Sequence, residues 1–392
     1  MTDEVFDRLN EAAPMLERED AESERLGRLT DVSAKLLRES GCMRLTQSAR
    51  NGGYEAHPSD FYRAVMMNGS RSGSAGWVTG VVGVHAFEMS LADPVLQDEV
   101  WGADRDTWIA SPYAPFGVAR PVTGGYLFNG RWPFSSGTDH CQWVMIGGRL
   151  ADEDGNVDNS PAGIRNFALP RGDYEIVEGS WETMGLAGTG SKDLIVTDQF
   201  VPEYRVLDPQ LQRQGYSGRE RGLSNPLYDM PRGSIFSAAI TAGTIGAALG
   251  VLRAFEAYTS VRVTAREGSQ ASADPYILRA FAEASADIEA SRIQFFADIE
   301  RLYDHVAAHK PVTTELRLEI KRNLTRSSVR VAMAADQLFE SAGGNSIRRS
   351  SPIQRYWRDV RAALNHHSHA PVHYYHYGLA HFGHPLPDGL NV

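Results

Sequence analysis

Histidine is the residue type that most clearly indicates chemistry in this chain, because an imidazole can donate or accept a proton near neutral pH. Seven of the twelve histidines lie close to the C-terminus, at His366, His367, His369, His373, His376, His381 and His384. None of them forms a pair four residues apart on a clearly predicted helix beside a carboxylate, so a metal site is not predicted. The surrounding Tyr, Pro and Gly residues instead favour an ordered C-terminal arm.

A second group of candidates lies between residues 77 and 136, and each member also has a purely structural interpretation. His85 stands alone in an apolar segment, where a histidine is more often a core residue than a catalyst. Trp77 fits a core position equally well. Ser135 and Ser136 directly precede Gly137, so they also fit a turn. The residue types alone therefore leave both interpretations open at these four positions.

Composition argues against several classes of function. The chain has 392 residues, with 49 acidic and 39 basic side chains and a formal net charge of -10. No block rich in Lys and Arg is present, so neither nucleic acid nor an anionic membrane is an expected partner. The N-terminal segment lacks the apolar stretch of a signal peptide, and Cys42 and Cys141 are too few for a disulfide framework. These features favour a cytoplasmic protein.

One segment has the length of a membrane-spanning helix, and another has the glycine content of a nucleotide-binding loop. Residues 235–252 carry no charge and reach the length of a membrane-spanning helix, but Ala, Gly, Ser and Thr dominate them. Because small residues let helices approach closely, we predict a helix buried in a bundle or an oligomer core. The run GLAGTGS at residues 185–191 lacks the strand-to-helix context of a nucleotide-binding loop, so we predict a β-turn region there.

Periodicity divides the chain into three regions. Apolar residues at three- and four-residue spacings predict helices at the start, and short β-prone runs between Gly, Pro, Asn and Asp predict an antiparallel barrel or sandwich in the middle. Long helical patterns return after a polar loop at 208–232, with Asp274 and Pro275 as N-cap and first residue of one helix. We therefore predict an α+β protein with an N-terminal helical domain (1–105), a central β-domain (106–207) and a C-terminal helical bundle with its preceding loop and arm (208–392).

This order of elements, together with local motifs, resembles the acyl-CoA dehydrogenase family over nearly the full length. YLFNG (126–130), RWPFSSG (131–137) and WVMI (143–146) are similar to the strand-turn-strand that lies against the flavin ring in that family. Residues 185–202 resemble its closing β-segment, and ESAGG (340–344) with QRYWRD (354–359) resembles its C-terminal flavin-binding helices. The resemblance implies the acyl-CoA dehydrogenase-like fold, with a helical N-terminal domain, a central β-barrel or sandwich and a four-helix bundle.

The chain departs from the dehydrogenases after QRYWRD. Several members carry a Tyr-Glu pair there, and its glutamate removes the α-proton of the substrate, whereas the matching positions here are His366 and His367. A glutamate elsewhere could substitute. A histidine at this place resembles the flavin-dependent monooxygenase branch, which includes two-component hydroxylases of 4-hydroxyphenylacetate and of phenolic secosteroids. SAGW (74–77), VGVH (82–85) and EVW (99–101) resemble the secosteroid hydroxylases in particular.

The branch implies a reaction and its partners. Its members take reduced FMN (FMNH2) from a separate NAD(P)H:flavin reductase, form a C4a-hydroperoxyflavin with O2 and pass one oxygen to the substrate. For this chain the resemblance implies hydroxylation of a phenolic or other aromatic substrate, with FAD as the alternative flavin. His366 is implied as the base toward the substrate hydroxyl, His85 as its counterpart on the other pocket wall, and Ser136 as the hydrogen-bonding group near flavin N5. A swap of the two histidine roles remains open.

The same resemblance implies the flavin-binding residues. Trp77, Phe134, Ser135, Ser136, His366 and His367 are expected around the ring. Arg262 occupies the place of a phosphate-binding arginine, which often serves a neighbouring subunit, and Arg266 is the alternative if the register differs. Gly344 and Asn345 are expected to permit close approach of the backbone to the cofactor.

Other functions remain open from the sequence. An FAD-dependent acyl-CoA dehydrogenase-like oxidoreductase would use a carboxylate base. A monooxygenase of the same fold could act on nitrogen or sulfur, and a catalytically idle scaffold would not bind reduced flavin. The family bundle usually assembles as a dimer of dimers, so the resemblance implies a homotetramer.

Overall fold

The computed structural model describes residues 2–387 and 390, except 214, 216, 264–267 and 269; Arg266 therefore lies outside the described residues. Among the described residues, six helices are followed by eight strands and then by six helices; the order of helical, β and helical regions is the one that the sequence predicts. The first group comprises α1 (Thr2–Leu26), α2 (Asp31–Ser40), α3 (Pro58–Gly69), α4 (Gly73–Gly83), α5 (His85–Ser90) and α6 (Pro94–Trp101). Short 3-10 turns connect several of these elements.

The strands form one mixed sheet in the middle of the chain. They are β1 (Ile109–Ala110), β2 (Gly117–Val122), β3 (Gly125–Ser135), β4 (Trp143–Leu150), β5 (Ile164–Pro170), β6 (Glu175–Val177), β7 (Lys192–Pro202) and β8 (Val206–Leu207). The strand order is β6-β7-β3-β2-β4-β5-β8, and β1 pairs with β4 outside this path. Most neighbours are antiparallel, while β2 and β1 each pair with β4 in parallel.

The last group of helices builds the bundle. It comprises α7 (Ser217–Glu220), α8 (Arg232–Val261), α9 (Pro275–Ala307), α10 (Thr314–Ser341), α11 (Pro352–Ala363) and α12 (Val372–His381). Asp274 caps α9 by accepting hydrogen bonds from the backbone of Tyr276 and Ile277, as its place before a proline indicates. Helix α7 and a 3-10 turn interrupt the segment that was predicted as a loop at 208–232.

Helix α8 is the centre of the bundle and packs against α3, α4, α9, α10 and α11. A Cβ atom built on Gly246 would lie 3.0 Å from Cα of Met66 and 3.1 Å from Cα of Gly69, so only small residues allow this approach of α8 to α3. By length and composition α8 could cross a membrane, but 83% of its most apolar window is buried inside the protein. That is the environment of a core helix.

Candidate active site between the sheet and the bundle

Phe236, in the second turn of α8, contacts both histidines that the sequence singles out. The ring of His85 stacks on it at 6.4 Å, and the ring of His366 lies at 5.9 Å. Trp77 of α4 meets His366 edge to face at 5.9 Å, and Tyr113 meets Phe236 at 5.5 Å. The fold therefore brings three predicted site residues together around a phenylalanine.

His85 is fully buried, and both of its ring nitrogens have partners. Nε2 lies 2.7 Å from Oγ of Ser111, and Nδ1 lies 2.6 Å from Oη of Tyr113. The Tyr113 hydroxyl also makes a short hydrogen bond to the carboxylate of Glu88, which in turn forms a buried ion pair with Arg232. These contacts make a continuous chain from Ser111 through the imidazole to a charged pair.

The protonation states in this chain follow from its charges. Burial by itself raises the pKa of Glu88, but Arg232 and His85 outweigh burial, so the net pKa is below the ordinary carboxyl value. Burial and the Glu88 charge hold the pKa of Tyr113 well above its usual value. Tyr113 therefore keeps its proton and donates it to Glu88, so its oxygen can only accept from Nδ1–H of His85. Neutral His85 then has an unprotonated Nε2, which accepts from the Ser111 hydroxyl.

His366 has the opposite arrangement. It precedes a 3-10 turn, and its Nδ1 accepts a hydrogen bond of 3.0 Å from the backbone N–H of Ser368. Burial lowers the pKa of His366 to about 3, with further contributions from His369 and Lys321. A neutral imidazole whose Nδ1 accepts must carry its hydrogen on Nε2. His366 therefore offers a donor, whereas His85 holds an acceptor nitrogen.

A buried cluster of basic side chains surrounds the C-terminal side of His366. Lys321 on α10 donates to Oγ of Ser237, and burial lowers its pKa to about 7. Burial also lowers the pKa of His369 to about 3, and of His373 to about 4. His367 is exposed, and its ring lies 5.5 Å from the ring of His373. Among the described residues, no group of His, Cys, Asp and Glu has the geometry of a metal site.

The motif at residues 131–137 ends β3 with an irregular backbone. The pairing of β3 with β7 shifts register between Trp132 and Ser135, and Phe134 adopts φ +68°. A bulky residue in this region costs about 1–3 kcal/mol, which is a recurrent feature of binding sites. As a result the Phe134 ring is 67% exposed, while Ser135 is fully buried.

Three hydroxyl groups lie beside this irregular strand end. Ser136 accepts a hydrogen bond of 3.4 Å from Nε1–H of Trp77, and its Oγ lies 2.6 Å from Oγ of Ser191. Ser191 Oγ lies 2.7 Å from Oγ1 of Thr189. Since β3 and β7 are antiparallel with Ser135 opposite Lys192, Ser136 and Ser191 occupy the next facing positions. Because Trp77 also contacts the ring of His366, Ser136 lies near His366.

These residues fit the edge of a flavin ring in two respects. The hydroxyl of Ser135 is buried and has no hydrogen-bond partner, although buried hydroxyls normally have one. Phe134 projects an exposed apolar ring, and its centroid lies 5.9 Å from that of Trp181, which itself lines a groove of about 480 Å³. A heteroaromatic ligand with acceptor atoms would cover the Phe134 ring and accept a hydrogen bond from the Ser135 hydroxyl.

Arg262, Gly344 and Asn345 lie at the other end of the bundle. Arg262 follows the last residue of α8 and donates to the carbonyl of Ser341 at 3.0 Å. A Cβ atom on Gly343 would lie 2.6 Å from its Nη2, so the glycine beside Gly344 lets the guanidinium approach. Along α8, Phe236 and Val261 are roughly 38 Å apart at 1.5 Å per residue. One flavin therefore cannot contact both His366 and Arg262 of the same chain.

Sequence reasoning missed Ser111, Tyr113, Glu88, Arg232 and Phe236. Glu88 had a detectable signal, because it lies three residues after His85 on α5 and shares its helix face. The other four belong to segments without a chemical pattern. Glu88 is also the carboxylate nearest to His85, and its oxygens are engaged by Tyr113 and Arg232, so it is not a free base for an α-proton.

Comparison with known proteins gives consistent matches over the whole chain. Residues 238–371 match the family model described as Acyl-CoA dehydrogenase, C-terminal domain. The pigment production hydroxylase of Rhodococcus erythropolis is 44% identical, over 96% of this chain and 95% of its own length. HsaA of Rhodococcus jostii, the oxygenase subunit of a flavin-dependent monooxygenase, is 38% identical over 98% and 99%.

Solved structures agree with these matches. The crystal structure of 3-HSA hydroxylase from Rhodococcus sp. RHA1 has a TM-score of 0.91 and 38% identity, and the match covers 98% of each chain. XiaF from Streptomyces sp., solved in complex with FADH2 and glycerol, has a TM-score of 0.93 and 25% identity, covering 100% of this chain and 98% of its own.

Proposed function

Because this chain belongs to the flavin-dependent monooxygenases of the acyl-CoA dehydrogenase fold, we propose that it is the oxygenase component of a two-component system and hydroxylates a phenolic substrate. A separate NAD(P)H:flavin reductase supplies the reduced flavin, which we propose to be FMN, with FAD as the alternative. The observation that carries the substrate class is the chain of hydrogen bonds from Ser111 through His85 to Glu88. The ring of a phenol becomes electron-rich when the hydroxyl loses or shares its proton. These hydrogen bonds leave Nε2 of His85 unprotonated and therefore able to accept that proton.

His85 is proposed as the base, with Ser111 beside it. When a phenol replaces the Ser111 hydroxyl as hydrogen-bond donor to Nε2, the imidazole can take the proton. The resulting positive charge is stabilised through Nδ1–H, Tyr113 and the Glu88 carboxylate, which is the logic of a hydrolase triad. Of the two role assignments that the sequence leaves open, the hydrogen bonds favour this one.

His366 is proposed as the neutral hydrogen-bond donor of the pocket. Its Nδ1 is occupied by the Ser368 N–H, so its hydrogen is on Nε2. Because burial holds its pKa at about 3, it stays uncharged at working pH and draws no counter-ion or water into the pocket. A dry pocket matters because water would divert activated oxygen to hydrogen peroxide.

Reduced flavin, when bound, reacts with dioxygen and supplies one oxygen atom to the substrate ring. On this chain Trp77, Phe134, Ser135 and Ser136 would hold the ring edge, with His366 on the facing side. His367, which is exposed, would contribute through its backbone.

Arg262, Gly344 and Asn345 would bind the phosphate of a flavin that belongs to a neighbouring subunit, since they lie too far from His366 of their own chain. We therefore propose that the protein is an oligomer, and from the resemblance to its family we propose a homotetramer. We also propose that it is located in the cytoplasm. Arg262 provides a planar pair of donors that suits phosphate oxygens.

The decisive experiment mixes anaerobic protein and reduced FMN with oxygen, with and without a panel of phenols. We expect the absorbance of oxidised flavin to return much later than in free solution, and a phenol product heavier by one oxygen atom. Immediate reoxidation with one hydrogen peroxide per flavin would contradict the proposal. Parallel assays with reduced FAD, with indole and thiophene substrates, and with acyl-CoA plus an acceptor dye separate the other candidate activities.

A further inference from the structure

Three hydroxyl groups near the proposed flavin edge form an unbroken chain that ends on a backbone carbonyl. The oxygen–oxygen distances are 2.6 Å from Ser136 to Ser191, 2.7 Å from Ser191 to Thr189 and 2.6 Å from Thr189 to the carbonyl of Leu186. Two oxygens approach this closely only when a hydrogen lies between them. Three contacts thus require three hydrogens, and the three hydroxyls possess three.

The direction of each hydrogen bond is then fixed. The Leu186 carbonyl can only accept, so Thr189 donates to it. Thr189 has no second hydrogen, so Ser191 donates to Thr189. For the same reason Ser136 donates to Ser191. Trp77 Nε1–H donates to Ser136 from the other side, since an indole N–H cannot accept.

The carbonyl that sets this direction is itself held in place. Leu186 adopts φ +54°, and its N–H donates to Oδ1 of the buried Asp359 side chain on α11 at 2.6 Å. Its carbonyl also accepts from Nε1–H of Trp181 at 3.1 Å. The series of hydroxyls therefore begins at a fixed acceptor. If the direction of its hydrogen bonds were reversed, one of the three short contacts would have no hydrogen between its two oxygens.

The consequence concerns Ser136. Its only hydrogen is engaged by Ser191, and one of its two lone pairs is engaged by Trp77, so it has one acceptor site and no donor left for a ligand. N5 of a reduced flavin carries a hydrogen, whereas N5 of an oxidised flavin is an acceptor. A hydroxyl that can only accept matches the reduced form and opposes the oxidised form.

We propose that Ser191 and Thr189 are positioning residues that hold Ser136 as an acceptor, and that they thereby make the site select reduced over oxidised flavin. This inference rests on the proposed function, because it requires N5 to lie at Ser136. Such selection has a clear use in a two-component enzyme: it lets the protein capture reduced flavin while oxidised flavin, the reductase's own substrate, is excluded.

The test measures the dissociation constants of oxidised and of anaerobically reduced FMN. In Ser191→Ala, Ser136 loses its acceptor and can turn its hydrogen toward N5. We expect the ratio of the oxidised to the reduced dissociation constant to fall about tenfold, mainly through tighter binding of oxidised FMN. For a two-electron couple this corresponds to a midpoint potential of the bound flavin about 30 mV lower than in the wild type.

Two further comparisons separate this role from a general loss of packing. Thr189→Val should lower the ratio in the same direction, because Ser191 then donates to Ser136, while Thr189→Ser keeps the hydroxyl and should keep the wild-type ratio. Ser291→Ala removes a hydroxyl that is equally buried and donates only to the Asp287 carbonyl on α9, so the ratio should not change. If Ser191→Ala does not fold, the Thr189→Val and Thr189→Ser pair decides.

Outcomes that overturn the inference differ from those that overturn the proposed function. An unchanged ratio in Ser191→Ala or Thr189→Val, with a wild type that hydroxylates phenols, removes the positioning role and leaves the monooxygenase. A wild type that hydroxylates phenols but binds both flavin forms equally also overturns the inference. Absence of both product and flavin binding in the wild type removes the proposed function itself.

Discussion

His85 and His366 approach the same phenylalanine from two sides, in opposite electrical surroundings. His85 lies beside a carboxylate that is paired with Arg232, and it is hydrogen-bonded at both nitrogens. His366 lies among His369, Lys321 and His367, whose positive forms all disfavour a further charge. A carboxylate faces the first ring and basic groups face the second, so the second ring stays neutral.

The comparison teaches that the residue type does not assign the role. Both side chains are imidazoles, and both rings contact Phe236. What differs is the partner of Nδ1: the Tyr113 oxygen accepts from it in His85, and the Ser368 N–H donates to it in His366. The hydrogen is therefore on Nδ1 in one ring and on Nε2 in the other.

The largest effect that tests this difference is expected from His85→Ala. Loss of a general base typically costs 10²- to 10⁴-fold, so we expect the rate of phenol hydroxylation to fall at least about 100-fold. Binding of reduced FMN should be close to wild type, because His85 is not placed at the flavin edge. His305→Ala, at the end of α9, is the control and should hydroxylate at the wild-type rate. Hydroxylation by His85→Ala at that same rate would exclude His85 as the base.

A smaller effect is expected from His366→Ala. Loss of one hydrogen-bond donor in a buried site costs about 1–3 kcal/mol, so product per reduced flavin should fall about tenfold while hydrogen peroxide rises. His366→Asn retains an N–H donor and should recover part of the yield. If His366→Ala lost as much hydroxylation as His85→Ala, the proposed difference between the two histidines would be contradicted, because His366 could then be the base.

The smallest effect is expected on stability at acid pH. This measurement needs no ligand, and it distinguishes the histidine cluster around His369 from the surroundings of Glu88. His369 is buried, with a pKa lowered to about 3, so its contribution to stability is present above pH 6.5 and is lost as the pH falls toward 3. Each such group changes stability by at most about 1.4 kcal/mol per pH unit. Tm of His369→Gln should therefore fall less steeply than wild type between pH 6.5 and 5.

The Glu88 region supplies the contrast for that measurement. The pKa of Glu88 is below 4.5, so its contribution is lost only as the pH falls through that lower value. Glu88→Gln should reduce Tm throughout the range from pH 6.5 to 5, because the contribution of Glu88 is fully present there. Equal slopes in wild type and His369→Gln would show that the histidine cluster is not buried in its neutral form.

Much of the fold could be predicted from the sequence because local patterns carry it. Helical spacing, β-prone runs between turn residues and the Asp274-Pro275 start of α9 all follow from preferences of neighbouring residues. The small residues of α8 predicted a buried helix, and the close approach of Gly246 to α3 is the reason for them. The position of Ser135 and Ser136 before Gly137 likewise indicated a turn, and β3 ends at Ser135.

The sequence by itself determined which elements form, in which order, and which imidazoles and hydroxyls are available for chemistry. Only the tertiary structure decided which atoms those groups contact. Ser111 and Tyr113 reach His85 from 26 and 28 positions away, and Ser191 reaches Ser136 from 55 positions away. The place of a hydrogen depends on the atoms within about 3 Å of it, and in a folded chain those atoms come from segments that no local pattern connects.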